Sequence, residues 1–183
     1  MDPRVVRTRA SLQAALLELA REGGLESVTI GEIADRAGVN RSTYYQHYAD
    51  KETLLADALD AEVGGVVVAA GGVTDERGMP VELTAYLTHV QDHADIYREI
   101  LGDHGSAVVM ARLRSRLEAI VVASLVAAPG EPYSGVPVDV VAAGLSGAAM
   151  GVVSAWLGRS PTPPVDVAAE WMWAVIGGFA SAT

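Results

Sequence analysis

Arg41, Ser42, Thr43, Tyr45, Gln46 and His47 put a hydrogen-bonding side chain at nearly every position of one short segment. The chemistry open to such a cluster is recognition: donors and acceptors at this density match base edges and phosphate oxygens. A buried helix would be mostly apolar, and a solvated one would favour Glu, Lys and Ala over the adjacent Tyr44 and Tyr45. Other chemistries find less support. His89 and His93 stand four apart, a spacing that can bind metal on one helical face, with Asp92, Glu99 or His104 as further ligands. The residues between them are Val-Gln-Asp, so the metalloprotease pattern HExxH is absent. Surface histidines, or polar groups lining a cavity, are the competing readings. There is no Cys, no Gly-rich phosphate loop after a strand and no nucleophile elbow. Neither an enzyme nor a cofactor or metal site is expected.

The cluster needs an element to present it. In VTIGEIADRAGVNRSTYYQHYADK, from Val28 to Lys51, Thr29 and Glu32 have capping-box spacing, and Val28 with Ile33 can form a hydrophobic staple. Gly38 supplies the left-handed residue that closes this helix after Ala37. Asn40 is the next N-cap, Val39 and Tyr44 can staple it, and Asp50 caps a further helix beginning at Lys51. Helix, short turn with Gly, helix is the helix-turn-helix, whose second helix enters the DNA major groove. The same spacing also fits a helical hairpin within a bundle.

TIGEIADRAGV followed by NRSTYYQHYADKETLL, Thr29 to Leu55, resembles the DNA-binding signature of the TetR family of bacterial transcriptional regulators. The resemblance implies an all-α homodimer, with a three-helix DNA-binding head and a C-terminal helical ligand-binding and dimerisation domain. It divides the chain into 1–50 and 51–183. It also implies groove-facing positions for Asn40, Arg41, Ser42, Thr43, Tyr45, Gln46 and His47, and phosphate contacts from Thr29, Tyr45 and Lys51. Tyr44 falls at a buried position, and Tyr48 stands where Phe is commoner. The expected partners are double-stranded DNA with a palindromic operator, an unknown small-molecule effector and a second copy of the chain. The expected role is a repressor that the effector releases from DNA.

Charge and composition fit this division. The 183 residues carry a net charge of −10. Seven basic residues face eight acidic ones in 1–55, and six face fifteen in 56–183, so an acidic body keeps DNA to the head. Arg4, Arg7 and Arg9 cluster at the start, and Lys51 is the only lysine. The opening MDPR has no apolar stretch, so no secretory signal is expected, and with no Cys a cytoplasmic location is.

The remaining chain reads as helices with no convincing strand. Asp2-Pro3 starts a helix that Gly23-Gly24 stops at about residue 22. Helix four runs from Lys51 toward Val68, weakened by Gly64-Gly65, and is followed by a loop over Gly71-Gly72 and TDERGM. Pro80 opens a long helix to about Leu101, bent near His93-Ala94-Asp95, and a further helix covers Ser106 to about Ala128. Arg112, Arg114 and Arg116 on it are read as a solvated face. Candidate pocket residues are Tyr86, His89, Tyr97, Met110 and Trp156, polar-tipped or polarizable groups amid apolar helices. Asp139 can cap a helix whose stretch Val140–Gly158 carries no charge, and Gly144, Gly147 and Gly151 give it a smooth face. That run is long enough to span a bilayer, yet it is rich in Gly, Ala and Ser and lacks flanking basic clusters, so no membrane is expected. The last helix starts near Pro164, and Trp171 and Val175 join the three glycines as candidate dimer interface. A small-molecule binding helical bundle and a membrane-associated dimer are the alternatives from other classes.

Overall fold

A computed structural model describes residues 2–70, 74–76, 78–102, 105–127, 133, 135–181, with the side chains of 66–70, 126–127 and 178–181 excluded. Among the described residues the chain is all-α: α1 Pro3–Gly23, α2 Ile30–Arg36, α3 Arg41–His47, α4 Lys51–Ala70, α5 Val81–Asp92, α6 Ala94–Leu101, α7 Ala107–Ala127, α8 Val138–Leu157 and α9 Val165–Ser181. A single isolated bridge pairs Thr74 with Pro80. Two compact units result: Met1–Val63 with His93–Met110, and Gly64–Asp92 with Ala111–Thr183.

In the first unit the starts of α1 to α4 are written locally. The Asp2 carboxylate accepts from the Arg4 amide at 2.9 Å and Pro3 is the first helical residue. Thr29 and Glu32 form the complete capping box: Thr29 Oγ1 accepts from the Glu32 amide, and Glu32 Oε2 accepts from the Thr29 amide at 2.9 Å. Asn40 Oδ1 accepts from the Thr43 amide and Asp50 Oδ1 from the Thr53 amide, both at 2.7 Å. Gly38 turns the chain at φ +69°, where a side chain would be strained, and lets the Val39 amide reach the Ala34 carbonyl. The core beneath is Leu12, Leu16, Ile33, Tyr44, Leu54 and Leu59, all fully buried. Arg36 clasps α2 to α1 through Glu22 and Glu18 at 2.8 and 3.4 Å. α6 joins this unit through Ile96, Tyr97 and Ile100.

The expected long helix over 80–101 is two helices. His93 leaves helical geometry at φ −120°, ψ 27°, without a side-chain cap. α4 runs through Gly64-Gly65 to Ala70, close to the expected extent. Gly64 is buried, and a Cβ there would collide with the Arg116 guanidinium, so Arg116 packs on α4 and is not a solvated arginine. The loop expected over Gly71-Gly72 lies largely outside the described residues, as does His104.

In the second unit α9 packs on both α8 and α5. α8 buries Val141, Leu145, Ala149, Val153 and Trp156 on one side. Asp139 does not cap it: the helix begins at Val138, and Pro137 is the N-cap without a side-chain bond. α8 is long and apolar enough to cross a membrane by composition, with 44 % of its most apolar window buried within the chain.

Candidate functional site

α3 is held from below by two tyrosines with different chemistry. Tyr44 is fully buried, and its hydroxyl has no hydrogen-bond partner among the described residues. Burial, then the charge of Asp50, pushes its pKa up to about 12. The Tyr48 hydroxyl donates to Asp57 Oδ2 at 2.9 Å and accepts from Arg9 Nε and Gln13 Nε2, each at 3.2 Å. Arg9 also pairs with Asp57 at 2.9 Å and lies over the Tyr48 ring, 5.1 Å from its centroid. Burial raises the Tyr48 pKa, with the Arg9 hydrogen bond opposing it. This network ties α1 and α4 to the end of α3, and it takes Arg9 out of the basic cluster expected at the N-terminus; Arg4 and Arg7 stay exposed.

These two tyrosines give a paired expectation. Tyr48→Phe should lose about 1–2 kcal/mol, because it removes a bridged hydroxyl at a partly buried charge pair. Tyr44→Phe should lose nothing and gain up to about 1 kcal/mol, because its hydroxyl is buried without a partner among the described residues. Urea unfolding of both variants makes the comparison, and equal losses would show that Tyr44 has an unseen partner.

On the outer side, Arg41, Ser42, Tyr45 and Gln46 are exposed, and Thr43 and His47 are half-buried. Tyr45 stands 58 % exposed, edge-on to Tyr44 with ring centroids 5.4 Å apart. Some expected donors are already engaged. Asn40 Oδ1 collects the hydroxyls of Ser42 and Thr43 as well as the Thr43 amide. The Thr29 hydroxyl donates to Glu32 at 2.7 Å. Arg41, Gln46, His47 and the Tyr45 hydroxyl make no hydrogen bond or ion pair with any described residue, so they are ready to meet an external ligand. The Arg41 guanidinium lies against Gly31, whose missing side chain gives it room.

Lys51 is placed differently from its neighbours on the motif. Its ammonium donates to the carbonyls of Leu25 at 2.7 Å and Val28 at 3.0 Å, with that of Glu26 at 3.4 Å. An ammonium has three hydrogens, so this set uses its capacity. Glu26, Glu52 and Glu99 line the same cleft of about 290 Å³. Burial first, and Glu26 second, raises the Glu99 pKa, while Lys51 lowers it.

The second unit holds a cavity of about 340 Å³ walled by α5, α7, α8 and α9. Leu83, Tyr86, Ile120, Leu145, Met172 and Trp173 represent its lining. Of the five expected pocket residues, Tyr86 lines it. Trp156 is fully buried elsewhere, its indole N–H donating to the Pro163 carbonyl at 2.8 Å. His89 is buried on α5 but does not line the cavity, and Tyr97 and Met110 belong to the first unit. His93, also in the first unit, is met at Nε2 by Arg21 and by Glu62 at 3.2 Å. Composition marked the cavity wall only indirectly, through apolar residues of α7 such as Ile120 and Val121 and through Trp173 of α9.

The expected interface residues lie apart from this cavity. Gly144, Gly147 and Gly151 are exposed, and a Cβ on any of them would meet nothing within 4 Å. Val175 is exposed, and the half-buried Trp171 ring is covered by the Arg159 guanidinium at 4.7 Å.

Residues 12–58 match the family described as bacterial regulatory proteins, tetR family. The uncharacterized HTH-type transcriptional regulator YxbF of Bacillus subtilis (strain 168) is 38 % identical over 68 residues, 37 % of this chain but only 18 % of that relative. Among solved structures, the Thermus thermophilus FadR, a TetR family transcriptional repressor in complex with lauroyl-CoA, superposes with TM-score 0.70 at 17 % identity over 92 % of each chain. FadR from Bacillus subtilis in complex with stearoyl-CoA gives 0.61 at 15 % identity, over 92 % of this chain and 98 % of that one. At these identities the two structures establish a shared fold.

Proposed function

The chain carries a TetR-family DNA-binding domain, and from that premise we propose that it is a dimeric repressor released from a palindromic operator by a small molecule. Two copies of α3 enter successive major grooves about 34–36 Å apart. Residues 1–50 read DNA, and residues 51–183 dimerise and hold the effector. The observation that carries this reading is the outer side of α3, where Arg41, Tyr45, Gln46 and His47 keep their donors uncommitted on a helix fixed from below. Asn40 and Thr29 serve first as caps, the Ser42 and Thr43 hydroxyls donate to Asn40, and all four can exchange those bonds for phosphate or base contacts.

The effector binds the cavity of the second unit, and it shifts the dimer only by its differential affinity for the DNA-bound and released states. Gly144, Gly147, Gly151, Trp171 and Val175 contribute to the dimer face. The protein acts in the cytoplasm and catalyses nothing. α8 supports a second reading, a membrane-associated dimer, by its length and apolarity. Purification as a dimer without detergent removes that reading.

Selection of bound fragments from genomic DNA, followed by titration of the enriched sequence, tests the main reading. The enriched fragments should be palindromic. Arg41→Ala should lose about 1–3 kcal/mol of discrimination at one or two base positions, because its planar fork can donate to both guanine O6 and N7 and alanine can donate to neither. Selection that enriches no sequence would sink the operator reading.

A further inference from the structure

We propose that the cavity of the second unit takes an uncharged, largely apolar small molecule bearing one hydrogen-bond acceptor, which the Tyr86 hydroxyl holds. The proposal rests on the reading of the chain as an effector-responsive regulator and names the effector's chemical class.

The polar inventory of the wall is short. Ser124 and Ser146 donate to the carbonyls of Ile120 and Ala142 on their own helices, at 3.0 and 2.7 Å. The Tyr86 hydroxyl has no hydrogen-bond partner among the described residues, although the ring is buried. A phenol in that position orients a ligand by offering one directional donor. Burial raises its pKa, so it stays a neutral donor across physiological pH. Tyr133 adds a half-buried phenol at another part of the wall.

Charge decides the class. No Arg, Lys or His is among the described lining residues, and the ionisable lining carboxyl group, Glu82, has the wrong sign for an anion. A carboxylate or phosphate entering this wall would lose its water without gaining a cation, and an unpaired buried charge is the costliest group to desolvate. An ester, ketone or alcohol loses only a hydrogen bond or two, and Tyr86 returns one. The volume of about 340 Å³ suits a compact molecule at the small end of the range for ligand sites. The fold neighbours crystallised with lauroyl-CoA and stearoyl-CoA hold ligands with several phosphate charges. This wall offers no described cation to meet such a head.

The test uses matched probes in calorimetric titrations of the full chain: methyl decanoate, decanoate and decanoyl-CoA, and beside them 2-acetylnaphthalene and 2-naphthoate. The neutral member of at least one series should bind at least about tenfold tighter than its anions. Tyr86→Phe should weaken the neutral probe about three- to tenfold and leave weak anion binding as it was. Ala149→Leu, which narrows the cavity, should weaken every probe, provided its thermal unfolding stays cooperative; Ser124→Leu, at a less buried lining position, serves if it does not.

Anions binding as tightly as neutral probes would overturn the ligand class while leaving the effector cavity standing. An unchanged affinity in Tyr86→Phe would remove the tyrosine from the proposal. If no probe binds the wild-type chain, the cavity is not an effector site, and both readings fall. Neutral binding without release from the selected operator would leave this inference intact and sink the release mechanism.

Discussion

Gly151→Leu is expected to split the dimer while leaving each subunit folded and its α8 more strongly helical. Inside the subunit the substitution is harmless, because a Cβ at Gly151 meets nothing within 4 Å and the position faces outward. Leucine also removes the mid-helix cost of glycine, about 1 kcal/mol. Any loss therefore has to come from outside the chain. If α8 lies against its copy, a two-fold interface places both substitutions in the same contact. Overpacking costs about 1–3 kcal/mol at each position, so the pair should weaken dimerisation by roughly thirtyfold or more. Sedimentation at micromolar concentration reads this, and thermal unfolding of the monomer fraction reads the helix. A dimer that survives with unchanged affinity would place the interface elsewhere and leave the smooth side of α8 for another use. Gly144→Leu should behave in the same way, and Ala142→Leu should not. Ala142 is buried within its own subunit, so leucine there would destabilise the fold instead.

The same contrast shows which parts of the chain are readable from its letters. Caps are local: a side chain reaches an amide three residues on, so Thr29, Asn40 and Asp50 could be assigned from spacing, and each makes its bond. Gly38 was readable because few residues other than glycine close a helix at positive φ. The buried position of Tyr44 follows from the family pattern, and it is fully buried. Partners far along the chain were not readable. Arg9 meets Tyr48 and Asp57 across 39 and 48 residues, so it looked like a free basic residue near the N-terminus. Arg116 looked solvated for the same reason, until Gly64 proved to be its seat. The break at His93 falls in the bend expected over His93-Ala94-Asp95, but no proline or glycine there announces that the helix ends outright. The cavity was harder still. Its described wall is assembled mostly from apolar residues of four helices, and of the expected pocket residues Tyr86 lines it.

Lys51→Ala is expected to destabilise the head by about 2 kcal/mol and to leave the salt dependence of DNA binding unchanged. Two roles compete for this ammonium. The family resemblance gives it a phosphate, and its place at the start of α4 would favour an anion. The structure gives it the carbonyls of Leu25, Val28 and Glu26, in the turn that joins α1 to α2. Three acceptors use all three hydrogens. Each of two of these bonds is part-buried, and hydrogen bonds to a charged group are worth about 1.5–3 kcal/mol when neither end can be resolvated fully. Moving the ammonium to DNA would orphan those carbonyls. It would also leave Glu26, Glu52 and Glu99 around the cleft, and they repel a phosphate. The turn therefore holds the charge, and any effect of Lys51→Ala on DNA binding is expected to come through α2 and the Thr29 cap, which that turn positions. Urea unfolding should show the loss of stability. Binding to the selected operator, measured over a salt series at a temperature where the variant is fully folded, should be weaker with an unchanged slope. Losing one phosphate contact per head would instead lower the slope by about 0.9 for each. That lower slope, with stability intact, would move the ammonium back to the phosphate.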